Sequence, residues 1–471
     1  MSYKEYLKIL EIQMAKKLPQ PLSNIAAQKI MSSLYSQFLI HRQKNEEILN
    51  LENGEYFWDI KNGKIRLSWS IKAKSILEFF VYSLQIVFQF LFGNTKQKKE
   101  DFCLLYGTHR EWYENPTKSL EFSRYLNELS TKLEISKFWL IENTYIFRNR
   151  KLSDGIIATP CPLLYLLLLT QGPLTRLNLF IHWVFTIILI LPKIFSSIEY
   201  LIVINEVIKE SAFMSRLNDF SLAKNVFTTT SNIMVQPTIF HQPFDSTRET
   251  SMIWYSSSTH DTYVDYNACI DFSLYCCIRC DRHLVWTLDH AKFLEKRCKA
   301  RALVIGPQLF YLPTTNTTFK NRTIAIFDIT PTSWEVFKNT PYGEERSLRF
   351  LKDVFQVLSF LNKDSINPYA IQFKPKRQFT KHHSKTYINE VRNLSNNGLH
   401  VIASDINLYD YLKTVDIVVT NSLTSIGDLA EYLGVKVVYY DMPNFYKPLR
   451  IGENFTRNLM QLRTWLEKNM N

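Results

Sequence analysis

The stretch DIVVTNSLTSIGDLAEYLGVKVVYYD, residues 416–441, contains the clearest indication of the fold. It begins with a short apolar run that ends at Asn421 and Ser422, continues through an amphipathic segment closed by Gly434, and returns to an apolar run ending at Asp441. Short apolar runs bounded by polar residues predict buried strands, and the segment between them predicts a helix. Because a helix carries the chain from one strand to the next, the two strands are expected to pair in parallel.

The same alternation extends on both sides of this stretch, over residues 321–471. Strands are predicted in TIAIFDITP, YAIQFKPKR, LHVIASD, DIVVTNS and VKVVYYD, with helices between them and after the last. Five strands alternating with helices predict an open parallel sheet. Ligands of such sheets bind at the carboxyl ends of the strands, so polar residues at those ends are candidate binding residues.

A second alternation of strands and helices is predicted over residues 101–320, interrupted by an apolar insertion near residues 163–203. Its apolar runs lie in DFCLLYG, FWLIENTYIF, KNVFTTTS, TSMIWYSSS, HLVWTLDH and ARALVIGP. A chain of 471 residues exceeds what one core usually organises. The predicted fold class is therefore α/β, with two Rossmann-like lobes built on parallel sheets, preceded by a helical segment over residues 1–100.

The helical segment ends in an apolar stretch over residues 71–93. Its polar residues fall on one narrow stripe at helical spacing: Glu78, Tyr82, Gln85 and Gln89. Lysines lie at both of its ends: Lys72 and Lys74 at the start, and Lys96, Lys98 and Lys99 after the end. This pattern is typical of a helix lying in an anionic membrane interface, and a core helix is the alternative.

The apolar insertion is interrupted at Pro173 and again at Pro192. Its longest uninterrupted piece, residues 177–191, is shorter than the roughly 20 residues that a bilayer crossing needs. Contact with one face of the membrane is therefore expected, with a single crossing as the alternative. The first residues lack the apolar core of a secretory signal, which predicts that the protein stays inside the cell. Together with membrane contact through the two apolar segments, the expected location is cytoplasmic and peripheral to the inner membrane.

The composition favours anionic partners. The net charge of +12 favours nucleic acid, anionic lipid or a phosphorylated substrate, but no helix-turn-helix, zinc-finger or RNP motif accompanies it, so nucleic acid is not expected. The chain has 12 Gly and neither a Walker nor a GxGxxG pattern, so a nucleotide must be held in another way. Cys276, Cys277 and Cys280 lack a second CxxC and are interpreted as buried or inert thiols, not as zinc ligands.

Two motifs are candidates for binding a phosphate. Thr424 and Ser425 open a predicted helix directly after a strand that ends at Asn421 and Ser422, and the N-terminus of a helix favours an anion. The alternative is that one of these hydroxyl groups only caps the helix.

The second motif is IQFKPKRQ, in which Lys374, Lys376 and Arg377 follow another strand of the same sheet. Cations at that position can stabilise the charge that develops on a leaving nucleotide. A solvated basic turn is the alternative.

These segments resemble the bacterial polysaccharide-biosynthesis proteins named for a PFTS motif. The motif corresponds to Ser422, Leu423, Thr424 and Ser425, so that Ser and Leu replace the family's Pro and Phe while both hydroxyl residues are kept. Other segments similar to the family are FDITP (327–331), FKPKR (373–377), IWYS (253–256), VWT (285–287) and IGP (305–307). The likeness extends over roughly residues 215–445.

The resemblance implies a GT-B-like glycosyltransferase that acts without a metal or other cofactor. The donor would be a nucleotide sugar, either a CMP-nonulosonate or a UDP- or GDP-sugar, and the acceptor a lipid-linked or growing glycan of lipopolysaccharide or capsule. Gly306 is a further candidate substrate-binding residue. Candidates for the general base in the N-terminal lobe are His109, Glu111, Glu206 and Glu210. The alternative is a non-catalytic assembly protein that binds a nucleotide sugar or a glycan.

Overall fold

The computed structural model describes a large part of the chain. The described residues are 3–20, 22–41, 48–50, 56–59, 64–92, 103–107, 116–135, 138–141, 173–206, 225–229, 236, 240, 249–257, 262–264, 268–270, 278–298, 300–314, 321–329, 331, 344–363, 365–379, 383–421, 424–441 and 452–470. They form two compact units. The first comprises Met1–Ile253, Ser273–Leu284 and Leu294–Ala302, and the second comprises Trp254–Phe272, Val285–Phe293 and Leu303–Asn471.

The first unit begins with helices and a small antiparallel sheet. The helices are α1 (Tyr3–Ala15), α2 (Leu22–His41) and α3 (Trp69–Phe92), and the strands are β1 (Ile48–Asn50), β2 (Tyr56–Asp59) and β3 (Lys64–Leu67). The prediction of a helical N-terminal segment is thus confirmed for the three helices and wrong for residues 48–50, 56–59 and 64–67, which form the strands. The strands there have three or four residues each, too short for a clear period-two pattern.

The first large sheet has six strands in the order β11-β10-β7-β6-β4-β5. They are β4 (Cys103–Tyr106), β5 (Phe138–Ile141), β6 (Asn225–Thr229), β7 (Glu249–Ile253), β10 (Arg282–Val285) and β11 (Arg301–Val304); β8 (Thr262–Val264) and β9 (Ala268–Ile270) form a separate antiparallel pair. The pairs from β5 to β10 are parallel. The associated helices are α4 (Pro116–Leu133), α5 (Pro173–Ser196), α6 (Ile198–Glu206) and α7 (Leu288–Cys298).

The apolar insertion forms α5 and α6. Pro192 was expected to interrupt it but lies inside α5, four residues before the helix ends. Its missing N–H removes one hydrogen bond to the preceding turn, and burial of Ile194 beyond it offsets that loss. Within the described ranges, every helix falls short of the length and apolarity that a bilayer crossing requires. The part of the insertion before Pro173 lies outside the described residues.

The second large sheet has the order β14-β13-β12-β15-β16-β17, and all of its pairs are parallel. Its strands are β12 (Thr323–Phe327), β13 (Ala370–Lys374), β14 (His400–Val401), β15 (Ile417–Thr420), β16 (Lys436–Tyr440) and β17 (Phe455–Thr456). Its helices are α8 (Glu344–Lys363), α9 (Lys385–Asn396), α10 (Leu408–Lys413), α11 (Ser425–Tyr432) and α12 (Leu459–Met470). The five predicted strands are confirmed, and β17 is an additional one.

Both faces of the second sheet are covered, which explains its continuous apolar strands. On one face, Ile324 and Ile326 pack with Phe373 and with the buried sides of α8 and α9. On the other face, Ala325 and Val418 pack with α10 and α11. The two-lobed α/β fold class, with a parallel sheet in each lobe, is therefore confirmed.

Candidate functional site

The order of the second sheet places a ligand crevice between β12 and β15. From β12 the chain builds outward through β13 to β14, and β15 then lies on the other side of β12, so the direction of winding reverses between these two strands. Ligands of such sheets bind outside the carboxyl ends of the strands at this reversal. Asp328 follows β12 and Asn421 follows β15, one position beyond the paired residues Phe327 and Thr420.

Helix α11 begins directly at this crevice. Thr424 is its N-cap residue and has extended backbone geometry, but its side chain caps no backbone N–H. Its hydroxyl instead contacts the Thr420 hydroxyl and lies 3.3 Å from the carbonyl oxygen of Asn421. The capping alternative therefore does not describe Thr424. The first N–H groups of α11 lack that side-chain acceptor, and together with the positive end of the helix dipole they suit an anion.

The Ser425 hydroxyl has a different partner. It accepts a hydrogen bond of 3.0 Å from the backbone N–H of Ser257, and the Ser257 hydroxyl in turn donates to the carboxylate of Asp428. Ser257 belongs to the loop after β7, which continues the IWYS segment. Sequence reasoning missed Ser257 and Asp428 as neighbours of the site, although IWYS was among the segments similar to the family.

Other similar segments also pack in the second unit. The Trp286 indole donates a hydrogen bond of 2.6 Å to the carbonyl oxygen of Trp254, and both side chains are buried. Gly306 has φ of +83°, a conformation that other residues rarely adopt, and its carbonyl accepts a hydrogen bond of 3.1 Å from the Gln308 amide. A methyl group at Gly306 would contact the Tyr432 ring at an ordinary 3.5 Å, so the φ angle and not the space requires glycine.

The basic loop after β13 divides into a buried and an exposed part. Lys374 is buried, and its ammonium donates to the carbonyl oxygens of Ser404, at 2.8 Å, and Pro375, at 3.3 Å. Burial lowers the pKa of Lys374 from 10.5 to about 8, although the negative charge of Asp405 opposes this change. Lys374 thus lies beneath the loop, with its charge directed to backbone carbonyl groups.

Lys376 and Arg377 are exposed. Burial of part of its side chain lowers the pKa of Lys376, although the rest of the side chain reaches solvent. The positive charge of Arg377 lowers this pKa further, and the negative charge of Asp328 raises it. Asp328 is itself buried and accepts a hydrogen bond from the hydroxyl of Tyr387 on α9. Sequence reasoning missed the roles of Asp328 and Tyr387, and the position of Asp328 in FDITP, directly after a strand, was the available signal.

The other residues predicted from the sequence belong to the first unit or lie outside the described ranges. His109, Glu111, Glu210 and Ser422 lie outside the described residues, and Glu206 is the last residue of α6, in the first unit. In the part of the chain that the structure describes, no three His, Cys, Asp or Glu side chains are grouped to hold a metal ion. Cys280 is buried, as predicted, and its Sγ atom lies 3.6 Å from Nδ1 of His283. Burial raises the pKa of the Cys280 thiol and lowers the pKa of His283 to about 4. Cys276 and Cys277 lie outside the described ranges.

Comparison with known proteins gives a family match and distant structural likenesses. The family model described as "Polysaccharide biosynthesis PFTS motif protein" matches residues 189–466. No curated protein matches the chain in sequence.

Three solved structures illustrate the structural likeness. A UDP-GlcNAc 2-epimerase from Neisseria meningitidis bound to UDP-GlcNAc is 13% identical with a TM-score of 0.39, over 78% of this chain and 91% of that one. A structure described as trehalose-6-phosphate from E. coli bound with UDP-2-fluoro glucose is 8% identical with a TM-score of 0.40, over 79% and 91%. The wall teichoic acid polymerase TagF is 10% identical with a TM-score of 0.37, over 85% and 87%. Values of this size say nothing about the substrate.

Proposed function

The chain belongs to the polysaccharide biosynthesis PFTS motif family, and we propose on that basis that it is a glycosyltransferase. It transfers a sugar from a nucleotide-activated donor, a CMP-nonulosonate or a UDP- or GDP-sugar, to a growing lipopolysaccharide or capsule glycan. It works at the cytoplasmic face of the inner membrane as a peripheral protein and needs no metal ion. The observation that carries this proposal is the start of α11 at the winding reversal of the second sheet, where the N-cap side chain of Thr424 caps no backbone N–H.

The donor phosphates lie, in this proposal, between the start of α11 and the loop after β13. Strands β13 and β15 flank β12, so their ends are on the order of 10 Å apart, a distance that a pyrophosphate with its sugar spans. The N–H groups of α11 and the Thr424 hydroxyl bind the phosphate on one side. The exposed cations Lys376 and Arg377 approach it from the other side and stabilise the charge that grows on the leaving nucleotide.

The acceptor hydroxyl needs a base, for which His109, Glu111 and Glu206 remain the candidates within this proposal. Transfer without metal is part of it, because the helix dipole and the cations take over the charge stabilisation that a bound cation provides elsewhere.

Incubation of the purified protein with CMP-, UDP- and GDP-sugars, with and without glycan acceptor, tests the proposal. Release of nucleotide that depends on the protein and persists in EDTA is expected for one class of donor. Arg377→Ala should lower the transfer rate about 30- to 1000-fold while weakening nucleotide binding much less, because the leaving-group charge is greatest in the transition state. Arg392 on α9 is also exposed, and Arg392→Ala is the matched control.

The non-catalytic alternative makes a different prediction for the same assay. A binding protein would show saturable nucleotide-sugar affinity in calorimetry and no turnover with any donor and acceptor pair. Equal effects of Arg377→Ala and Arg392→Ala on transfer would remove the role proposed for the loop after β13.

A further inference from the structure

A basic cavity lies in the first unit. It has a volume of about 620 Å³ and is bounded by the end of α1, strand β3, the last turn of α5 and the start of α6. Its lining residues are Lys17, Lys64, Ile65, Arg66, Lys193, Ser196, Ser197, Ile198, Glu199 and Tyr200. The volume is sufficient for a small polar group such as a phosphate with its substituents.

The charge of the cavity is strongly asymmetric. Among the described residues that line it, Lys17, Lys64, Arg66 and Lys193 are positive and only Glu199 is negative. Glu199 is buried and accepts hydrogen bonds from Lys17, at 2.8 Å, and from the Ser197 hydroxyl, at 2.5 Å. Burial alone would raise the pKa of Glu199, but these hydrogen bonds lower it overall. Lys17 therefore already neutralises this carboxylate, and Lys64 and Lys193 add positive charge among the described residues that line the cavity.

The backbone at the cavity adds to this charge. Helix α6 begins at Ile198, so its positive end lies at the cavity, with the Ser196 and Ser197 hydroxyl groups beside it. The Lys193 ammonium lies 5.6 Å from the ring centre of Tyr200, which keeps this cation on the cavity wall. The two hydroxyl groups already donate their protons, that of Ser196 to the Lys193 carbonyl and that of Ser197 to Glu199. The positive charge that a phosphate would meet therefore comes from the cations and the helix N-terminus.

Exposed apolar side chains lie on the two helices that adjoin the cavity, α3, which follows β3, and α5, whose last turn lines it. Trp69, three residues after Arg66, is 82% exposed, and Phe195, two residues after Lys193, is 66% exposed. Both α3 and α5 pack against α6, yet each leaves apolar side chains in solvent. On α3 these are Leu77, Phe80, Val81 and Leu84; on α5 they are Leu174, Leu177, Ile181, Phe185, Ile188 and Leu189.

We infer that the cavity binds the phosphate of an anionic lipid head group at a bilayer surface, while exposed apolar side chains of α3 and α5 enter the interface. Aromatic residues beside cations are typical of protein surfaces at this depth of a membrane. A soluble phosphate metabolite would explain the cations but not the exposed apolar side chains. This inference deepens the peripheral membrane location proposed above and rests on it, but it does not depend on the transfer reaction.

The test is co-sedimentation of the full chain with vesicles, either of phosphatidylcholine alone or with phosphatidylglycerol added. Lys64→Gln/Arg66→Gln removes the two cations that β3 contributes to the cavity, and Lys193→Gln removes the one that α5 contributes. Lys118→Gln/Arg301→Gln is the matched control, because it removes one Lys and one Arg that are exposed elsewhere on the same unit. Thermal melting establishes that each variant is folded.

The wild type should bind vesicles with phosphatidylglycerol and bind phosphatidylcholine weakly. The Lys64→Gln/Arg66→Gln variant should bind the anionic vesicles about 10- to 30-fold more weakly, as expected for two cations at an anionic surface, and Lys193→Gln a few-fold more weakly. The control variant should bind the anionic vesicles within about twofold of the wild type, because its two cations contribute only through the overall charge of the protein.

Equal weakening in both double variants would overturn the cavity as a distinct site while leaving peripheral membrane binding intact. Failure of the wild type to bind any vesicle would overturn both the location and the cavity, and self-association in sedimentation would then assign the apolar side chains to a second copy. If inorganic phosphate at millimolar concentration bound the protein as tightly as the vesicles do, a lipid would no longer be the occupant of the cavity. If the cavity variants weakened vesicle binding and the protein had no transferase activity, this inference would stand and only the catalytic proposal would be rejected.

Discussion

Two neighbouring hydroxyl residues at the start of α11 have different partners and should respond differently to substitution. Thr424 contacts Thr420 within the crevice, whereas Ser425 accepts from the backbone of Ser257. Thr424→Ala should weaken nucleotide binding about 3- to 10-fold, the worth of one hydrogen bond, with little change in melting temperature. Ser425→Ala should lower the melting temperature as well, because the Ser257 N–H loses its acceptor. Calorimetric titration beside thermal melting measures both, and identical behaviour of the two variants would contradict the assignment.

Lys374 should make the stability of the second unit depend on pH. Its pKa is about 8 in the folded protein, against an ordinary 10.5. Between these values the unfolded chain binds more protons than the folded one, so stability rises with pH through that window and the penalty for the buried charge is fully present below it. Relative to Lys374→Met, the wild type should gain about 2 kcal/mol between pH 7.5 and 9.5.

Melting temperatures of the two proteins across this range measure the effect, which should reach about 4 °C or more. Lys385→Met, at an exposed position of α9, controls for the general change in charge. A difference between wild type and Lys374→Met that stays constant with pH would show that the ammonium is not held as the structure has it.

The position of Lys374 marks what the sequence could and could not predict at this scale. Its place at the end of a strand was predictable from the apolar run before it, and so was its positive charge. Its burial was not, because its strongest partner, the Ser404 carbonyl, lies 30 residues later in the loop after β14. Ser257 likewise lies 168 residues from its partner Ser425 along the chain. A contact between residues so far apart leaves no local pattern in a single sequence.

At the scale of elements, α11 packs closely against β16 because residue 427 lacks a side chain. A Cβ atom there would lie within 2.6 Å of Cζ of Tyr439, whose ring is buried and stacked on Phe455 at 4.6 Å. Gly427→Ala should therefore destabilise the second unit by about 1–3 kcal/mol. The same change should cost less in a Tyr439→Leu background, where the ring is absent, and equal costs in both backgrounds would argue against the contact.

The elements themselves were predictable to different degrees. Strands β12, β13, β15 and β16 were found because parallel strands covered on both faces are continuous apolar runs. Strand β14 has two exposed residues and was found only from its place between two predicted helices. Strand β17 has two residues, Phe455–Thr456, and no apolar run to identify it. Strand β3 has the sequence KIRL, whose Lys64 and Arg66 are exposed, so its alternation is clear only after the fold is known. Helix α5 continues through Pro192 because tertiary packing of Ile194 outweighs the local preference of proline.

At the scale of the whole molecule, the division into two compact units makes the location of the donor site measurable without a ligand complex. Two units with separate cores are expected to give two calorimetric transitions. Gly427→Ala identifies the transition of the second unit, because it should lower the melting temperature of that transition alone.

A nucleotide that binds beside α11 should stabilise the second unit by about 2.7 kcal/mol at 100 times its Kd, and so raise the same transition while leaving the other unchanged. CMP, UDP and GDP tested in turn identify the base that the site prefers, and Lys64→Gln/Arg66→Gln, which alters the first unit, should not affect the shift. A nucleotide that raised only the transition untouched by Gly427→Ala would place the donor on the first sheet, and the roles of Thr424, Lys376 and Arg377 would then be wrong.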